Sequence, residues 1–122
     1  MAGFNDTGYG SFTPTEEIRL HQLVTRVAGG VRVCQDGETP VGNACRNGVA
    51  PGEQAHEKIS VAFRNKQGTH IAIADGVIAE GGEFESAGNG KITALDEGTA
   101  IGFVNEVGGA TEDNHEVEIV YY

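Results

Sequence analysis

Residues 99–122, TAIGFVNEVGGATEDNHEVEIVYY, decide how the rest of the chain is read. Val117, Ile119 and Tyr121 alternate with Glu116, Glu118 and Val120, the period-two pattern of a strand with one buried face. Ahead of that strand, Ala100-Ile101-Gly102 is a short apolar run, and Gly108 to Thr111 is a turn of small residues. The unit is therefore strand, turn, strand. Residues 39–63, TPVGNACRNGVAPGEQAHEKISVAF, repeat it. Thr39 and Thr99, Val41 and Ile101, Gly42 and Gly102, Gly48 and Gly108, Ala50 and Ala110, and Ile59 and Ile119 all pair at one offset of 60 residues. Two copies are too few for a solenoid, which needs about three or more. A pseudo-symmetric small β-domain is the expectation, with a weak internal repeat over 39–63 and 99–122.

Working outward, the intervening segments read the same way. EKISVAFRN, THIAIADG, GGEFESAGNGKITAL and TAIGFVNE are short apolar or alternating runs bounded by Gly, Asn or Asp, at the spacing of sandwiches and barrels. Val31-Arg32-Val33 is a short strand, and Asp36-Gly37 supplies the positive φ of a tight hairpin. Ile18, Leu20, Gln22, Val24 and Arg26 fall on one side of a strand from about 18 to 27. The 122 residues make one domain, and 19 glycines without a single Trp favour many turns and short strands. The fold class is all-β, a small compact barrel or sandwich-like domain over residues 16–122, preceded by an extended N-terminal arm, residues 1–15.

That arm holds Phe4, Tyr9 and Phe12 at intervals that fit neither a strand nor a helix face. Aromatic surface left in water costs about 25 cal/mol per Å2, so these rings call for burial. Two readings stand side by side: the arm folds back on its own domain, or it anchors to something else.

Net charge is −10, with no cluster of Lys and Arg, which argues against a nucleic-acid partner. The N-terminal residues have neither a basic start nor an apolar run, and no segment has the ~20 apolar residues of a membrane span. A protein made in a cytoplasm, with no membrane partner, is expected. In a reducing compartment Cys34 and Cys45 read as free thiols. The serine-nucleophile elbow, the phosphate loop, the two-histidine zinc helix and the two-cysteine redox motif are all missing from the sequence. His21, His56, His70 and His115 are never close neighbours, so we expect no enzyme, no cofactor and no metal centre. A loose Ca2+ site at Glu112, Asp113 and Asn114, or a sugar platform at Tyr121-Tyr122, defines the alternative: a small ligand-binding β-module for carbohydrate or Ca2+.

Residues 70–121 also carry a series of steps: an apolar strand, then GVIAEGG, then GNGKI, then GTAIGFV and a closing HEVEI. This series resembles the small capsid cement or head decoration proteins of tailed bacteriophages, and residues 39–63 are a fainter instance. The resemblance implies a non-enzymatic virion protein, made in the host cytoplasm. It would bind the outer surface of the expanded capsid as a homotrimer and bridge copies of the major capsid protein. It also makes Phe4, Tyr9 and Phe12 the candidate capsid contacts.

Overall fold

The computed structural model describes residues 8–48 and 58–122. Among the described residues ten strands form two five-stranded antiparallel sheets. The first contains β1 (Tyr9–Phe12), β2 (Leu23–Val27), β3 (Gly30–Val33), β4 (Gly42–Ala44) and β5 (Ile59–Phe63), in the order β1-β5-β4-β2-β3. The second contains β6 (His70–Ile73), β7 (Glu83–Gly88), β8 (Lys91–Ala94), β9 (Gly102–Val104) and β10 (Glu116–Tyr121), in the order β6-β10-β9-β7-β8. Raising each label of the first sheet by five gives the second.

The correspondence reaches individual residues. Leu23 and Val24 face Asn43 and Gly42, while Glu83 and Phe84 face Phe103 and Gly102, again 60 residues on. Beyond β4 the register changes. Val61 faces Ala44 and Ile119 faces Val104, so Ile59 matches Val117 rather than Ile119. Gly48, bridged to Ile18, matches Ala110, bridged to Ile78, rather than Gly108. The segment linking β4 to β5 is longer than that linking β9 to β10, so a single offset fails there. Ala50 lies outside the described residues.

Each sheet curls around a core, and Leu23 and Cys34 of the first half pack into that of the second. After β1 the chain crosses to the far edge of its sheet, where Pro14 bridges Val31 in parallel and Val31 N donates to Thr13 O at 3.0 Å. Ala74 and Ile92 repeat that closure, with Asp75 N donating to Ile92 O at 2.7 Å. Ile18, Val24, Val31, Ala44, Ile59 and Val61 form one cluster, and Phe84, Ile78, Ile92, Val104, Val117 and Ile119 anchor the other. In β10 the inward residues are Val117, Ile119 and Tyr121, as their alternation requires.

Three expectations are corrected. The strand expected over 18–27 starts at Leu23, because His21 adopts φ 74° and Gln22 N donates to Arg19 O, a turn that breaks the period. Gly81, with φ 75°, occupies the equivalent place in the second half. Asp36-Gly37 does not close a hairpin: β3 and β4 both pair with β2, one on each side. Two-residue loops join β2 to β3 at Ala28-Gly29 and β7 to β8 at Asn89-Gly90, and the φ values of the latter, 53° and 70°, are those of a primed turn. Finally, part of the expected arm is a strand. Tyr9–Phe12 pairs with β5 along its length, and the Phe12 ring packs edge-on against Phe63 at 5.9 Å. The alternation was hidden because the inward position beside Phe12 is Gly10, where a β carbon would strike the Phe63 and Phe12 rings.

Candidate functional site at the seam

The two halves meet along a seam built from side chains and one hairpin tip. The Asn89-Gly90 turn docks on the first half: Leu23 N donates to Gly90 O at 2.9 Å, and Gly90 N donates to Cys34 O at 2.8 Å. Beside it Ser86 Oγ donates to Gln35 O at 3.0 Å and lies 3.5 Å from Cys34 Sγ. Burial pushes the Cys34 thiol up, so it stays protonated against this hydroxyl. Cys34 and Cys45 are both free, the first buried and the second exposed.

Farther along, three buried polar side chains interlock. Asn43 Nδ2 donates to Ile71 O at 3.0 Å and His21 O at 3.3 Å, and its Oδ1 accepts from the Tyr121 hydroxyl. Burial, above all, holds that phenol far above its usual range, so it serves only as a neutral donor. His70 stands edge-on to the Tyr121 ring at 4.8 Å and donates Nε2–H to Phe63 O at 2.9 Å. A carbonyl oxygen only accepts, which fixes the tautomer and leaves Nδ1 buried without a partner among the described residues. Burial, reinforced by nearby Lys66, pushes the imidazole below its ordinary value. The His70 ring is therefore neutral at neutral pH.

Over this seam lie two adjoining grooves. The smaller, about 240 Å3, is lined by Leu20, His21, Asn43, His70 and Ile71, and shares Tyr9 and Lys66 with the broader one. The broader groove adds Val41, Phe63, Arg64 and Tyr122. Among the described residues no Asp or Glu lines either groove. Arg64 lies over the Tyr121 ring at 5.6 Å, and Lys66 Nζ is 5.7 Å from the Tyr9 ring.

The expected site residues are placed unevenly. Phe4 lies outside the described residues. Tyr9 is exposed on the groove, whereas Phe12 is half-buried in the first core with Arg26 stacked at 5.5 Å. Tyr121-Tyr122 is no platform: adjacent strand residues face opposite ways, so Tyr121 is buried, while Tyr122 is exposed and bonds Glu83. Asp113 of the acidic turn pairs with Lys91 at 3.5 Å. Among the described residues no three His, Cys, Asp or Glu side chains gather as a metal site. His115 Nδ1 accepts from Thr111 N at 3.1 Å within its own turn, and His56 lies outside the described residues. Sequence reasoning missed Asn43, His70 and Tyr121 as a group. Only the inward phase of Tyr121 signalled it.

The class defined by this geometry is a tandem all-β module of two like-ordered sheets. No family model and no curated protein matches the chain. A solved structure does: the head fiber gp8.5 N base in bacteriophage phi29, at TM-score 0.73 and 13% identity, over 93% of this chain and 92% of that one. At that identity the likeness is one of fold.

Proposed function

We propose that this chain is a structural protein of a tailed-phage virion, seated on the outer surface of the expanded capsid and stabilising it by bridging neighbouring copies of the major capsid protein. The observation that supports this most is the near end-to-end likeness in fold to a base module of a phage head fiber. The physics suits such a role. A protein that binds the assembled shell and not its separated subunits stabilises the shell by linkage, and several weak contacts made together act multivalently. The role requires no catalytic group. Tyr9, exposed on β1, and Phe4 ahead of it are the proposed anchors; Phe12 supports β1 from inside. Homotrimer formation belongs to the same reading.

Co-sedimentation with expanded, undecorated heads tests it, with unexpanded heads as the comparison. Saturable pelleting with expanded heads at a fixed ratio to capsid protein is expected. Failure to pellet with either kind of head would sink the role.

A further inference from the structure

The charge of this protein is unequally divided. Seven of its eight Lys and Arg residues precede His70, and eleven of its eighteen Asp and Glu residues follow it. The first half is neutral and the second carries the whole −10. Among the described cations, Arg19, Arg32 and Lys91 are each paired with a carboxylate. Arg26, Lys58, Arg64 and Lys66 have no such pair among the described residues, and of these four only Arg64 and Lys66 line the seam grooves. The Arg64 guanidinium has the Tyr121 ring beneath it, and Lys66 Nζ donates only to the carbonyls of Gln67 and Thr69, at 3.1 and 3.5 Å. Both are half-buried on the seam grooves, among the exposed side chains of Tyr9, Leu20, Ile71 and Tyr122. Among the described residues carboxylates enter at the border, where Tyr122 bonds Glu83 and His21 lies 4.0 Å from Glu116.

We infer that this seam face is the surface that docks on the shell, and that its occupant is an acidic protein surface presenting carboxylates among apolar side chains. The inference rests on the function proposed above and names the face and the chemistry of the contact. Carboxylates would meet Arg64 and Lys66, and apolar groups would cover Tyr9, Leu20 and Ile71. Orientation follows from the rest of the molecule. An acidic shell repels the second half and admits the protein only seam first, because complementary charge steers encounter and like charge suppresses wrong poses. Two cations on an acidic chain do not suit a phosphate backbone, which rewards many.

The test is quantitative co-sedimentation of the full chain with expanded heads, comparing wild type, Arg64→Glu/Lys66→Glu, Lys66→Glu alone and Arg19→Glu. Thermal melts followed by circular dichroism establish that each variant is folded, and the single Lys66 change leaves the Arg64 stack on Tyr121 untouched. The double reversal is expected to weaken binding by about tenfold or more, Lys66→Glu by several-fold, and Arg19→Glu by less than about twofold. Wild-type binding should fall as salt rises from about 0.05 M to about 0.5 M. Equal binding by folded wild type and double reversal would overturn the face while leaving the virion role standing. Release of wild type by competing DNA, or a changed oligomeric state with unchanged head binding, would overturn the acidic shell protein as occupant. If wild type itself does not bind, the proposed function fails and this inference fails with it.

Discussion

The Tyr121 hydroxyl donates to Asn43 Oδ1 across 78 residues of sequence and from one half of the protein to the other. Tyr121→Phe removes that donor and leaves a buried amide oxygen unsatisfied, which costs about 1–3 kcal/mol. Urea unfolding should show a lower midpoint with an unchanged slope. An unchanged midpoint would mean that water replaces the phenol and that the bond contributes little.

His70 makes stability depend on pH. Its folded pKa lies below the ordinary 6.5, chiefly through burial, so as pH drops below 6.5 the unfolded chain binds a proton that the folded one refuses. Stability is fully present above that value and declines below it, by up to about 1.4 kcal/mol per pH unit, until the folded pKa is reached. Unfolding midpoints from about pH 7.5 to about pH 5.5 would show the decline in wild type and a flatter profile in His70→Phe. Identical slopes would move the effect to another group.

Gly42 and Gly102 hold equivalent positions in β4 and β9, and at both a β carbon would overlap a backbone carbonyl of the neighbouring strand, that of Ala62 or of Val120. Gly42→Ala and Gly102→Ala should each destabilise by about 1–3 kcal/mol, since the backbone must shift to make room. Matching losses in chemical unfolding are expected. A neutral result at either site would show that its sheet can give.

Gly81 and His21 share a left-handed conformation in matching turns, at φ 75° and 74°. Nothing lies within 4 Å of a β carbon built on Gly81, so Gly81→Ala isolates the backbone term, about 1–2 kcal/mol of destabilisation. His21→Gly should relieve the same strain and raise the melting temperature. A lowered melting temperature would show that the His21 side chain is worth more than the strain it imposes.

Truncations separate the N-terminal residues into two parts. Removing residues 1–7 should lower occupancy on expanded heads while keeping β1 in the chain. Removing 1–13 takes away β1 and the Phe12–Phe63 contact, so it should destabilise the first half as well. Full occupancy after the shorter deletion would remove Phe4 from the anchor.

How much of this was legible depended on how far apart in sequence the determinants lie. The strands between Ile59 and Tyr121 announce themselves through alternation and Gly or Asn turns, because both are local signals. The beginning of the chain did not, since an inward glycine in β1 and a left-handed histidine before β2 interrupt the period without declaring why. The seam was illegible because its partners are remote: Ser86 and Gln35 are 51 residues apart, and Asn43 and Ile71 are 28. The uneven distribution of charge can be counted from the sequence, but it acquires a direction only when β5 and its following turn place Arg64 and Lys66 beside β6.

The parallel closures at Pro14 and Ala74 close each sheet on itself, whereas the seam joins the halves through Leu23 and Cys34 packed into the second core, side-chain hydrogen bonds and one hairpin tip. Force applied across the halves must therefore draw Leu23 and Cys34 out of the second core as well as break the bonds at Asn43, His70 and Ser86. Parting the halves exposes buried apolar surface to water, so the seam resists load through packing as well as through polar bonds.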